Sequence, residues 1–430
     1  MANKKVLIIA YYWPPSGGPG VQRWLNFVKY LPENGWKPII YLPENPSYPT
    51  IDESLVAEVP ENLTLLKTRI WEPYQIAEKL SKKNEKFKSG QFDVGKNQTW
   101  KSKLSIFIRG NLFIPDARKF WIKPSVRFLK KYLKKHPVDI LITTGPPHSL
   151  HLIGLGLKNA FPKLKWIADF RDPWTAISYY KHLKLTSYAN RRHHNLENKV
   201  LKNANLVLAT SYTDAENFKE KGANSVPITN GFESREIPEK SPSDKFVLSY
   251  VGILEQLRNP SYLWEILKKL IGDFPEFEKS FELKFVGKID DKILHDLENS
   301  VLKKHLNIKN YLPHEQSLNE MQNSDLLLLT NFPKEESKGI IPGKFFEYLQ
   351  TKNPILSLGP KDADVEKILE ETHCGKHFTS QDSDAIREYI LSVFSSWKSG
   401  NSETTPQNIE NYSRKNLTRK LSLLMDDLVK

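Results

Sequence analysis

The sequence predicts an α/β protein made of two doubly wound, parallel-sheet domains. Three observations carry that expectation. Short apolar runs alternate with segments of helical period, the pattern of a parallel sheet covered by helices on both faces. The runs fall into two sets separated by a polar, proline-rich stretch. And 430 residues is more than one core usually holds, domains commonly having about 100 to 200.

The first set of runs is KVLIIA, KPIIYL, VDILITT, KWIADF and NLVLAT, all before residue 211. The second is FVLSYVG, FELKFVG, SDLLLLT and NPILSLG, from Phe246 onward. Between them, PITNGFESREIPEKSPSDK ends a strand at Asn230-Gly231 and then turns polar, as a linker does. The expected division is therefore 1–229, a hinge at 230–244, a second domain at 245–404 and a closing helix at 405–430. Open α/β sheets bind ligands at the carboxyl ends of their strands, so two such domains predict a cleft with a ligand edge on either side.

Composition narrows the function classes. Hydrophobic residues at 39% suffice for buried cores, and no apolar run approaches the about 18 residues of a spanning helix. The opening segment is too short for a signal peptide and reads as a first buried strand. A single cysteine, Cys374, leaves no disulfide framework and fits a reducing cytoplasm. The net charge of +13 suits nucleic acid, anionic lipid or a phosphorylated small molecule. Much of the excess lies between Lys79 and Lys135, where Lys82, Lys83, Lys86, Lys101 and Lys103 are interleaved with Phe87, Trp100, Ile106 and Phe107. That interleaving fits either a solvated helix face or docking on an anionic membrane surface. No nucleic-acid motif accompanies it, so no nucleic-acid partner is expected.

Two loops carry chemistry. Ser16-Gly17-Gly18-Pro19-Gly20 follows the first run and opens a helix with Val21, Leu25, Val28 and Leu31 at helical spacing. Such a turn lets a ligand approach the backbone and presents N–H groups to phosphate, or serves only to join strand to helix. It is neither G-x-G-x-x-G, since Arg23 occupies the sixth position from Gly18, nor a Walker loop, so a nicotinamide cofactor is not expected. In the second domain, a loop with Gly339, Ile340, Ile341 and Pro342-Gly343 leads into a helix bearing Lys344 and Glu347. A carboxylate there can accept from both ribose hydroxyls, while Lys344 and the loop N–H groups can hold a diphosphate.

GIIPGKFFEYLQTKNPIL, VGILEQLRNPSYLWEIL and PITNGFE resemble the nucleotide-sugar half of family 4 glycosyltransferases of the GT-B fold. YYWPPSGGPGVQRWLNFVKYL resembles their acceptor half. The resemblance implies two Rossmann-like domains facing across a cleft, with the last helix packing back toward the first domain. It implies Glu347 on the donor ribose, Arg258 on the diphosphate, and Gly17 and Gly18 bordering the same phosphates. Two departures stand out: Gly339 occupies the place of a second family glutamate, and Ile253 that of a second basic residue. Phosphate holding then falls on Arg258 and Lys344, in a Lys-x-x-Glu-Tyr form of the motif.

In the first domain, WIADFRDPWT ends a strand in charged residues, and Asp169, Arg171 and Asp172 are candidates for orienting acceptor and donor sugar, or form a local ion pair capping the loop. His148, in TTGPPHSLHL, is a candidate for contacting the donor sugar or a helix-start residue of structural use. His182, His193 and His194 lack companions at ligand spacing, so no metal is expected. The reading implied is a metal-independent, retaining glycosyltransferase without cofactor. It would take a nucleotide diphosphate-sugar as donor and a saccharide or lipid-linked saccharide as acceptor, in the cytoplasm or on the inner membrane face, in envelope polysaccharide assembly. A nucleotide-sugar epimerase of the same fold and a non-catalytic basic binding module remain alternatives.

Overall fold

The computed structural model describes residues 4–73, 100–177, 180–235, 240–241, 243–401 and 403–430. The chain divides into two compact units, residues 1–229 with 414–430, and residues 230–413.

The first unit holds β1 (Lys4–Ile9), β2 (Trp36–Pro43), β3 (Thr64–Thr68), β4 (Ile140–Gly145), β5 (Lys165–Phe170), β6 (Leu206–Ala209) and β7 (Ser225–Pro227). They form one parallel sheet in the order β3-β2-β1-β4-β5-β6-β7. Alternate side chains explain the continuous apolar runs. Leu7 and Ile9 enter the core on one face, Val6 and Ile8 that on the other, so both faces are covered and the runs are apolar without alternation. The helix Arg414–Val429 completes the second of these cores, where Leu417, Leu421 and Met425 pack with Val21, Trp24, Leu25 and Val28 of the helix Pro19–Tyr30. Lys4 Nζ clamps it at 2.8 Å from Asp426. The last helix thus returns to the first unit, as the expected fold requires.

The second unit holds β8 (Phe246–Val251), β9 (Phe281–Val286), β10 (Leu306–Lys309), β11 (Leu326–Thr330), β12 (Ile355–Leu358) and β13 (Gly375–Phe378), ordered β10-β9-β8-β11-β12-β13 and parallel throughout. In each sheet the order reverses once, between β1 and β4 and between β8 and β11. Those reversals are the topological switch points where α/β sheets open a ligand crevice.

Nine apolar runs mark nine strands, and the other four, β3, β7, β10 and β13, are the four sheet edges. TLLKT, SVP, LNIK and GKHF have half-exposed positions and no uninterrupted apolar stretch. The strand expected to reach Asn230-Gly231 ends at Pro227. Lys82, Lys83, Lys86 and Phe87, together with the side chains of Trp100, Lys101 and Lys103, lie outside the described residues. Of the interleaved apolar residues, Phe107 is exposed but Ile106 is buried, because it faces inward from the helix Trp100–Leu112 together with Gly110.

Candidate active site

In the first unit the loops after β4 and β5 run side by side, since Gly145 pairs opposite Phe170. They bound a cavity of about 250 Å3. Its lining includes Tyr12, His148, Asp172, Trp174, Tyr180 and His193, together with Arg109, Gly110, Pro115, Asp116 and Arg118.

The His148 ring lies flat on Trp174, centroids 5.0 Å apart and 3° from parallel. It precedes the helix Ser149–Ala160 without capping it; Asp116 does that, accepting from Ser149 N–H and Oγ at 2.9 Å each. Both His148 ring nitrogens are buried without a hydrogen-bond partner. Burial, then the neighbouring His151, Arg171 and His193, hold it well below the usual histidine range. It is a neutral imidazole with a polar edge to offer. His193 is held differently: Trp174 Nε1–H donates to its Nδ1 at 3.0 Å, leaving Nε2 to donate to Gly110 O at 3.3 Å. Glu197, fully buried, accepts from the Trp174 and Thr175 N–H groups at 3.2 Å each, fixing the loop that carries Trp174.

The three charged candidates separate. Asp169 is not part of the cavity lining. Its carboxylate accepts from Arg23 Nη2 at 2.9 Å, Trp24 Nε1 at 2.7 Å and Thr144 Oγ1 at 2.9 Å, all in the interior. This is a buried ion pair tying β5 to the helix Pro19–Tyr30, with Arg23 continuing to Thr229 O at 2.9 Å. Arg171 turns the other way. Its N–H donates to Gly145 O at 2.9 Å, Nη2 donates to Pro146 O, its guanidinium lies 5.9 Å over Tyr12, and Nε is unpartnered. Asp172 lines the cavity, and burial pushes its carboxyl up against the opposing effect of Arg171.

The glycine turn divides its duties. Gly17 N–H is taken by Thr50 O at 3.0 Å, and Ser16 bridges Ile51. Gly18, at φ +104, faces open space and caps the helix start. Gly20 answers to Arg171: a Cβ there would fall 1.5 Å from Arg171 Nη1. Only Gly18 of the two predicted glycines presents an open backbone.

In the second unit the candidates meet at the switch point. Lys344 and Tyr348 lie four apart on one face of the helix Gly343–Thr351 and grip the last residue of β8. Val251 N–H donates to Tyr348 Oη at 3.0 Å, and Lys344 Nζ donates to Val251 O at 2.9 Å. Nζ also sits 3.4 Å over the Tyr250 ring. Burial first, then Arg258, drives the Lys344 ammonium well below the usual lysine range, against Glu347. Arg258 rests its guanidinium 4.4 Å over Phe332, with Nε unpartnered. Neither cation has a carboxylate in hydrogen-bond contact among the described residues. The helix start beside them has no side-chain cap, and Gly343 borders open space. Glu347 Oε1 instead accepts from His314 Nε2 at 2.9 Å.

Gly339, Ile340 and Ile341 form the loop leading to that helix, Ile340 exposed and its carbonyl accepting from Asn331 Nδ2 at 2.9 Å. Two glycines not singled out in the sequence shape the floor. Gly252 and Gly287, both at φ +117, end β8 and β9, and a Cβ on Gly287 would come 2.5 Å from Gly252 O. The repeated Val-Gly at the ends of FVLSYVG and FELKFVG was the available signal. His314 and Phe332 had none, since their partners lie 33 residues and more away in sequence.

No protein-family model matches the chain, and no curated protein matches it. Solved structures do. The sucrose-phosphate synthase of Thermosynechococcus elongatus is 13% identical with a TM-score of 0.57, covering 99% of both chains. HepE of Anabaena, solved with UDP-glucose, is 13% identical with a TM-score of 0.54, covering 98% of this chain and 99% of its own. A putative UDP-N-acetylglucosamine 2-epimerase from Listeria monocytogenes is 11% identical with a TM-score of 0.51, covering 98% and 95%. With the two Rossmann-like sheets, these likenesses show the GT-B fold over the whole chain.

Proposed function

We propose that the chain is a glycosyltransferase that moves a sugar from a nucleotide diphosphate donor, held by the second unit, to a hydroxyl of an acceptor held by the first. The observation that carries this is the pair of cations at the β8/β11 switch point. Lys344 and Arg258 are kept on aromatic faces and a backbone carbonyl, with no carboxylate in contact among the described residues, beside a helix start without a side-chain cap. Desolvated positive charge of this kind is stabilised when an anion arrives. A diphosphate fits it, and Glu347, one helical turn along, suits ribose hydroxyls once His314 shares or yields its oxygen. Gly339 and Ile341 bring backbone N–H groups to the same edge, that of Ile340 being taken by Ser337 O at 2.9 Å.

In the step proposed, the bond from the anomeric carbon to the diphosphate oxygen breaks and a bond to the acceptor oxygen forms. The acceptor proton passes to the leaving diphosphate. Arg258 and Lys344 face the charge that develops on that oxygen, where one preorganised donor is worth about 10² to 10³ in rate. No metal is assigned a role. Retention, membership of family 4 and a place in envelope polysaccharide assembly on the cytoplasmic side are supported by the sequence resemblance. His148, with two unpartnered nitrogens, and Asp172 are placed to meet sugar hydroxyls in the first unit's cavity. Gly18 leaves open space at the helix start, and Asp169 and Arg171 act by holding these loops.

The likeness to an epimerase favours one rival, in which the donor sugar is interconverted without an acceptor. Incubating the protein with a panel of nucleotide diphosphate-sugars, with and without saccharide acceptors, separates the two by mass and by sugar analysis. Nucleoside diphosphate released together with a glycosylated acceptor supports transfer. An isomerised donor sugar in the acceptor-free arm supports the rival and overturns the transfer reading.

A further inference from the structure

The helix Lys119–Lys135 has an outward face with a charge pattern that the sugar-transfer site does not use. Seven of its 17 residues are Lys or Arg and none is acidic. Trp121, Ser125, Leu129 and Leu133 are buried on one side. Phe120, Lys123, Arg127, Lys131 and Lys134 form an exposed stripe on the other, at spacings of three and four. The only carboxylate between residues 100 and 138 is Asp116, and it is engaged by Ser149. The stripe has no internal neutralisation.

At the N-terminal end of this stripe the surface turns apolar and aromatic. Trp71 is 50% exposed and packs edge-on to Phe120 at 4.6 Å, and Lys119 Nζ lies 5.1 Å over Phe120 and 5.3 Å over Phe113. Leu104, Phe107 and Leu112 of the neighbouring helix Trp100–Leu112 are 48%, 41% and 60% exposed. Exposed aromatics set among lysines are the composition of a surface that sits at the headgroup level of a bilayer. The patch is also built into the cavity wall. Arg109 and Gly110 line the cavity from the same helix, and Glu72, next to Trp71, is pinned by Tyr11 at 2.7 Å and by Arg118 of the cavity wall at 2.9 Å.

We infer that this face of the first unit docks on an anionic lipid surface and holds the acceptor cavity at the membrane, so that the acceptor is a lipid-linked saccharide. The inference rests on the reading of that cavity as the acceptor side. It places the docking surface on Lys123, Arg127, Lys131 and Lys134, with Trp71, Phe107 and Phe120 as the apolar anchors. Charge complementarity selects the occupant. A neutral protein groove would leave the cation stripe unused, and a nucleic acid would leave the exposed Leu104, Phe107 and Leu112 unused.

The test is sedimentation of the full chain with phosphatidylglycerol-containing vesicles and with pure phosphatidylcholine vesicles, across a salt series. Wild type is expected to sediment with the first and not the second, and to be released as salt shortens the Debye length below about 8 Å. A variant with Lys123, Arg127, Lys131 and Lys134 all changed to Gln should lose roughly 600-fold in partitioning, each cation being worth roughly fivefold. Trp71→Ser with Phe107→Ser should remove the part that resists salt. Equal sedimentation of the four-Gln variant, no sedimentation of wild type at low salt, or displacement from vesicles by equimolar duplex DNA would each overturn the inference. Thermal stabilisation by UDP, GDP and ADP, measured on the same samples, keeps the two readings apart. If none of the three stabilises wild type while the vesicle results hold, the sugar-transfer reading and the lipid-linked acceptor fail and only the docking face stands.

Discussion

Lys344→Met is the substitution in which fold and function pull in opposite directions. The methionine keeps a stem of similar length against Tyr250 and Tyr348. It loses the bond to Val251 O at 2.9 Å and the placement 3.4 Å over the Tyr250 ring. A hydrogen bond from a charged donor is worth about 1.5–3 kcal/mol and a desolvated cation–π contact about 2 kcal/mol. Against this, the variant no longer desolvates an ammonium next to Arg258, which costs several kcal/mol. The terms nearly cancel, so unfolding in urea should show stability unchanged or raised. The sign with pH is fixed. Because the folded-state pKa of Lys344 is lowered, the unfolded chain binds more protons, and wild-type stability rises with pH on this account. The advantage of Met is therefore full at acid pH and fades as pH climbs from the lowered folded value toward about 10.4. Nucleoside diphosphate affinity should fall about 10- to 150-fold, the equivalent of one charge-assisted contact. A variant that loses more than about 3 kcal/mol of stability at neutral pH yet binds nucleoside diphosphate as wild type does would refute the reasoning.

Glu347→Gln should weaken nucleotide-sugar binding by about tenfold or more, since a neutral amide replaces a charged acceptor; unchanged affinity by calorimetry in a folded protein would remove Glu347 from the site. Asp169→Asn leaves Arg23 buried without its charge partner and should cost about 3–5 kcal/mol, read as a Tm lower by about 6–20 °C; a normal Tm would mean the pair is not structural. Gly20→Ala places a methyl where Arg171 Nη1 now lies, so turnover should fall with little loss of stability, and the double variant with Arg171→Ala should be no worse than Arg171→Ala alone. Additive losses would show that Gly20 matters for something other than Arg171.

How far the sequence could be read depended on where each strand lies. Interior strands such as β1 and β11 are covered on both faces and announce themselves as apolar runs; β3, β10 and β13 are edges, half-exposed, and carry Lys, Asn or His without penalty. The helix with Lys344 and Glu347 was legible for a similar reason, being one contiguous segment. What spacing could not reveal is partnership across the chain. Asp169 finds Arg23, 146 positions away, and Glu347 finds His314, 33 positions away. The same limit hid the purpose of the glycines. Gly17 spends its N–H on Thr50, and Gly20 makes room for Arg171, so a turn that reads as a phosphate cradle is in large part a packing device. Lys344, too, is engaged by Val251 and Tyr250 while standing ready for an anion.

The claim that the second unit is a nucleotide diphosphate site is tested most directly by thermal unfolding of wild type and Arg258→Ala with UDP, GDP and ADP, each beside its monophosphate. At about 100 times its dissociation constant a ligand adds about 2.7 kcal/mol. At least one diphosphate should therefore raise the wild-type Tm by several degrees. Its monophosphate should do so less, and Arg258→Ala should lose most of the difference between them. No response to any diphosphate, or an equal response in Arg258→Ala, would contradict the account.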